Sequence, residues 1–163
     1  MTVLRPLPLT KNAFAPFGDV IEIEGARHFT INQGFAERFA DLATIDTSSE
    51  GGTTTIGIVE AMARPQPTTI KLMERHPLGS QIFFPLQDRD WLVLVCGDVD
   101  DLSTYSAFRA TGRQGINYAR NVWHHPLLVL DLASNFLVID RHGPGENLEE
   151  VWLPEAKRLA LAA

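Results

Sequence analysis

The stretch Thr69 to Cys96, TIKLMERHPLGSQIFFPLQDRDWLVLVC, decides the fold class. It reads as three strands, Thr69–Arg75, Ser80–Leu86 and Trp91–Cys96. Pro77-Leu78-Gly79 separates the first two, and the turn Gln87-Asp88-Arg89-Asp90 separates the last two. The same signals extend outward. Upstream, Thr53 to Ala63 is rich in threonine and isoleucine, and Arg64-Pro65-Gln66-Pro67 then forces a turn. Downstream, Val122–His124, Leu127–Asp131 and Phe136–Asp140 are strand-like, and Gly143-Pro144-Gly145 marks a loop. Near the N-terminus, Asp19–Ile23 alternates apolar and acidic residues with the period of a half-buried strand.

Helical signals are few. Thr10 caps one predicted turn ending at Phe14, before Pro16. Phe35–Ala43 (FAERFADLA) carries apolar residues at helical spacing. Leu102–Ala110 is read as a short helix capped by Asp101 or Ser103, and Glu155–Ala163 as a small terminal helix. Ten prolines and twelve glycines break the whole chain into short pieces. About seven to ten short strands in one compact unit imply an antiparallel barrel or sandwich, either of which can be a jelly roll.

The 163 residues suit a single domain, 1–163, and the composition (45% hydrophobic, 21% charged) is ordinary for a globular protein. Cys96 is the sole cysteine, so no internal disulfide can form; it closes an apolar run and is expected to be a buried thiol. A net charge of −6 argues against nucleic acid as a partner. The N-terminus lacks the pattern of a signal peptide, and no apolar run approaches the ~20 residues that cross a bilayer. A cytoplasmic protein is expected.

Two histidine-bearing segments carry the candidate chemistry. In Met73-Glu74-Arg75-His76, Glu74 and His76 are two apart and share one side of a strand. In Trp123-His124-His125-Pro126 the adjacent histidines face opposite sides, so at most one can look into a barrel. A lone strand histidine is ordinarily structural. Yet Glu74, His76, Gln81 and His124 together mix carboxylate, imidazole and amide, a set that suits nickel, manganese, iron or zinc. Arg75, Arg120 and Arg141 each stand near one of these segments, and a guanidinium matches a carboxylate in shape.

The segments MERHPLGSQIFFPL (Met73–Leu86), GINYARNVWHHPLL (Gly115–Leu128) and FLVIDRHGPGEN (Phe136–Asn147) resemble signature stretches of ureidoglycolate lyases. The resemblance begins at PLTKNAFAPFGDVIE (Pro8–Glu22) and fades beyond Glu149. It implies a cupin-type jelly-roll β-barrel, a homodimer, and a divalent metal, nickel being usual. Aligned with the general cupin pattern, Glu74 stands at the first histidine position, His76 at the second, Gln81 at the glutamate and His124 at the last histidine. Glu74, Gln81 and Asp88 depart from that pattern.

The implied reaction splits ureidoglycolate into glyoxylate and urea, with no nucleic acid or membrane as partner. The implied metal ligands are Glu74, His76, Gln81 and His124, and the implied catalytic residues His76, His124 and Glu74. Arg75, Gln81, Tyr118, Arg120 and Arg141 are the expected substrate-binding residues, with His125 and Tyr118 as further candidate bases. The alternatives are another metal-dependent cupin enzyme, an isomerase or oxygenase, or a non-catalytic small-acid-binding cupin.

Overall fold

A computed structural model describes residues 1–163. In chain order the elements are β1 (Thr2–Leu4), β2 (Leu7–Pro8), α1 (Lys11–Phe14), β3 (Gly18–Ile21), β4 (Arg27–Ile31) and β5 (Ala36–Ala40). There follow β6 (Thr53–Ala61), β7 (Thr68–Ile70), β8 (Leu72–Arg75), β9 (Gln81–Pro85), β10 (Trp91–Cys96) and β11 (Tyr105–Ala110). The last are β12 (Gly115–Tyr118), β13 (Trp123–His124), β14 (Leu128–Val129), β15 (Ser134–His142), β16 (Glu149–Trp152) and β17 (Leu159–Leu161). The chain is mainly β, as expected, and divides into more and shorter strands than the apolar runs alone suggest.

Three sheets are stacked. A central seven-stranded sheet runs β16-β8-β13-β10-β11-β2, with β14 also paired to β10. A five-stranded sheet, β3-β12-β9-β15-β6, faces it, and a three-stranded sheet, β1-β17-β7, covers its back. No sheet closes on itself. The packing explains the unbroken apolar run of β10. Trp91, Val93 and Val95 belong to the core shared with the facing sheet, with Phe83, Ile116 and Phe136. Leu92, Leu94 and Cys96 belong to the core at the back, with Ile70, Leu159 and Leu161. A strand buried on both faces has no polar side to alternate with. Cys96 is free and buried, as expected, and desolvation pushes its thiol up to about 12.

The Thr10 hydroxyl does cap α1, accepting from the Ala13 N–H at 3.2 Å. Three predicted helices are instead turns and strands. Residues 36–40 form β5, paired with β4 from Arg27↔Ala40 to Ile31↔Ala36. This hairpin is held on its surface by Arg27–Asp41 and by Glu37, which receives His28 and Thr30. Cross-strand pairs of this kind outweigh a weak helical period. Asp101 caps a short 3₁₀ turn, Leu102–Thr104, after which β11 pairs with all of β10. Glu155–Lys157 is likewise one 3₁₀ turn, and β17 then lies parallel to β1. In each case a strand partner satisfies more backbone groups than a short helix would.

Gly18 shows how tightly the facing sheet is built. Its φ is +148°, and a Cβ there would collide with the Asn117 carbonyl of the paired strand β12.

Candidate metal centre

The site grows from a single row across three strands. Val95 of β10 pairs with His124 of β13, and His124 pairs with Glu74 of β8. Directly paired residues project to the same face. Because Val95 faces the interior toward the facing sheet, so do His124 and Glu74, and His76 follows by alternation. The facing sheet supplies Gln81, opposite Tyr118 in the β9–β12 register, and Asp140, in line with Phe136 and Val138 of β15.

The Glu74 carboxylate lies 3.4 Å from His124 Nε2 and 4.0 Å from His76 Nε2. Together the three offer ligand atoms within 4.8 Å of one another and could hold a metal ion. Each imidazole is oriented from behind. His76 Nδ1 donates to the Asn147 carbonyl (2.8 Å), and His124 Nδ1 donates to the Val122 carbonyl (2.9 Å). A carbonyl only accepts, so the neutral rings carry their protons on Nδ1 and turn bare Nε2 lone pairs to the cluster. Both Nε2 atoms are buried without a hydrogen-bond partner, and so is Gln81 Oε1. Buried polar atoms are ordinarily satisfied. Three orphans from one small region, two of them beside a carboxylate, are atoms of the kind that could meet a metal ion.

The electrostatics agree. Burial pushes the Glu74 carboxyl upward, but the imidazoles beside it, His124 first and then His76, outweigh it and hold the group below its ordinary value. Burial, reinforced by the neighbouring His124, lowers His76. Both shifts favour ligand-competent forms, ionised carboxylate and neutral imidazole. The Tyr118 ring stacks on His124, with centroids 4.0 Å apart and an interplanar angle of 12°. Burial pushes the Tyr118 hydroxyl well up, so it stays protonated.

The remaining residues singled out in the sequence lie elsewhere. Arg75 projects to the back of the central sheet, bonded to Glu149 (2.7 Å) and 4.3 Å over the Trp123 ring. Arg120 grips Asp46 through two bonds of 3.1 and 2.7 Å. Arg141 is buried and donates to the Ser49 and Pro144 carbonyls, organising a loop. A Cβ at Gly52 would collide with that guanidinium. His125 faces away from His124, as adjacent strand residues must, into a neighbouring cleft, where burial lowers it to about 4.

Asp140 and Asn147 were not singled out as site residues in the sequence. Asp140 Oδ2 accepts from Gln81 Nε2 at 3.1 Å, and Asn147 orients His76 while its side chain caps the Leu78 N–H. Alternation from Phe136 through Val138 could have found Asp140; the backbone contact of Asn147 leaves no trace in sequence.

A cleft of about 450 Å³ reaches Glu74 and His124 past Val59, Ala61, Phe83 and Arg64. No helix is long and apolar enough to cross a membrane.

Sequence comparison with known proteins agrees with the resemblance. The chain is 48% identical over 163 residues to the ureidoglycolate lyase of Pseudomonas entomophila, covering 99% of this chain and 98% of that protein. It is 50% identical over 158 residues to that of Burkholderia mallei (96% and 92% covered). Among solved structures it is similar to a dTDP-4-dehydrorhamnose 3,5-epimerase from Elizabethkingia anophelis, at 13% identity and a TM-score of 0.47, covering 88% and 85% of the two chains. The family profile "Ureidoglycolate lyase" matches residues 1–160, past the point where the visible resemblance fades, and the chain belongs to that family.

Proposed function

We propose that this chain is a carbon–nitrogen lyase that cleaves ureidoglycolate to glyoxylate and urea, the activity named for its relatives. The observation that carries the reading is the convergence of bare His76 and His124 Nε2 atoms on the Glu74 carboxylate, at the end of an open cleft. Glu74, His76 and His124 would hold the ion, with Gln81 Oε1 available as a fourth donor. Nickel is the proposed ion, since two imidazoles with carboxylate and amide oxygens suit a borderline divalent metal.

The substrate is a carbinolamide, with hydroxyl, carboxylate and ureido nitrogen on one carbon. A divalent ion bound there would supply Lewis acidity that makes the substrate hydroxyl easier to deprotonate. The chain supplies the rest. Asp140, steadied by Gln81, accepts the hydroxyl proton through the oxygen left free of that bond. The carbon–oxygen double bond forms as the carbon–nitrogen bond breaks, and the proton passes to the departing nitrogen. The products balance as glyoxylate and urea. Tyr118 holds the His124 ring flat against one side of the site.

Two copies of the chain form the working unit in this reading. Its support is the outer side of the facing sheet, where exposed Ile56 and Ile58 of edge strand β6 pair with Ile139 and Leu137. Light scattering reads that assembly, and Ile58→Glu should split it. A cytoplasmic location completes the proposal.

The deciding experiment follows glyoxylate and urea together, with metal-free and nickel- or manganese-loaded protein, corrected for uncatalysed decay. Equal amounts of both, formed only with metal, support the reading. Ammonia in place of urea would make the enzyme a hydrolase of the ureido group and overturn it.

A further inference from the structure

The described site gives an anionic substrate more acid than base. Glu74 and Asp140 are both on the inward face, and the nearby guanidiniums of Arg75, Arg120 and Arg141 are committed to Glu149, Asp46 and loop carbonyls. A carboxylate entering the cleft needs a cation that none of these can offer without breaking an existing bond.

Resting on the reading of the reaction above, we propose that Arg64 is the residue that holds the substrate carboxylate. It lines the same cleft as Glu74 and His124. It also lines the adjoining cleft of about 430 Å³ that holds His125 and Lys71, so it stands on the partition between the two. Its backbone is fixed: Ala63 bridges Val129, and the Arg64 N–H donates to the Val129 carbonyl at 3.4 Å. Its side chain is exposed, and the guanidinium takes part in no ion pair or hydrogen bond within the chain. Lys71, also unpaired, lines only the adjoining cleft. Among the cations at the site Arg64 alone combines a fixed base, an uncommitted fork of donors and access to the cluster. A planar guanidinium can take both carboxylate oxygens or share one with a neighbouring donor.

The assignment has a consequence for the products. After cleavage the carboxylate stays with glyoxylate, so Arg64 retains that product, while urea leaves without the contact. Glyoxylate should therefore compete with substrate, and urea should not.

The test compares wild-type protein with Arg64→Gln and Arg64→Lys, each loaded with the same metal and checked for equal metal content. Steady-state kinetics is paired with calorimetric binding of glycolate, a small hydroxy acid that cannot react. Arg64→Gln is expected to raise KM for ureidoglycolate about 10- to 100-fold and to weaken glycolate and glyoxylate binding by a similar factor. Arg64→Lys should recover part of both, since it restores charge but not the fork. Unchanged KM and unchanged glycolate affinity in Arg64→Gln overturn the assignment while leaving the lyase reading intact. Wild-type protein that ignores ureidoglycolate but binds glycolate through Arg64 would support the carboxylate site and overturn the reaction.

Discussion

Strands β10 and β13 lie side by side in the central sheet, and their inward-facing residues meet opposite environments. Trp91 of β10 packs against Phe136 with ring centroids 4.9 Å apart, inside a core that includes Phe14 and Phe108. His124 of β13 is just as buried, at 1% exposure, yet meets Glu74, His76 and Tyr118. One side chain stabilises the fold by leaving water; the other keeps an unsatisfied nitrogen at a cost of about 1–3 kcal/mol. A protein selected for stability alone would extend the Val95 pattern along the row. The polar half of the row is therefore a functional expense, and the apolar half supplies the rigidity that holds its geometry.

The contrast breaks most sharply at His124. His124→Ala removes a ligand atom together with a buried ring stacked on Tyr118, and turnover should fall by about 10²–10⁴-fold or more. Metal content should fall with it, and the cavity left beside Tyr118 should lower the unfolding temperature by roughly 5–10 °C. Wild-type turnover in that variant would sink the proposed centre. The converse variant, Phe136→Ala, should cost about 3–5 kcal/mol in denaturant unfolding, with turnover per folded molecule retained.

Asp140→Asn sharpens the comparison within the polar half. It keeps the volume and a partner for Gln81 but removes the charge. A fall in kcat of about 10- to 100-fold with unchanged metal content would mark Asp140 as a proton acceptor, whereas loss of metal would mark it as support for the ligands. The smallest effect belongs to the back core. Burial raises the Cys96 thiol from 9.0 to about 12, so the unfolded chain loses that proton first as pH rises. Stability from this group is full below about pH 9 and declines toward pH 12. Cys96→Val should flatten that part of the alkaline slope, read from urea unfolding at pH 8 and pH 11.

Much of the fold was legible locally. Trp91–Cys96 is strand β10 to the residue, and Thr10 caps its turn as expected, because an unbroken apolar run and a hydroxyl before a helix act over short range. The helices expected at 35–43, 102–110 and 155–163 failed for a common reason. Each segment borders a sheet edge or hairpin partner remote in sequence, and strand pairing satisfies more backbone groups than a short helix.

For the site, residue chemistry and alternation were enough to put Glu74 and His76 on one face and to separate His124 from His125, since side-chain direction follows from strand geometry. The chain's family was legible too, in motifs that survive as contiguous residues. Only the tertiary structure decided which partners those residues meet. The β8–β13–β10 register brings Glu74 to His124, and the stacked sheets bring Gln81 and Asp140 opposite. The arginines show the limit most plainly: Arg75, Arg120 and Arg141 stand beside the motifs in sequence but bond elsewhere, while Arg64, which the sequence marks only as the start of a turn, lines the cleft. A guanidinium's partner is set by what lies within reach of a long side chain in space, and sequence neighbourhood carries no record of that.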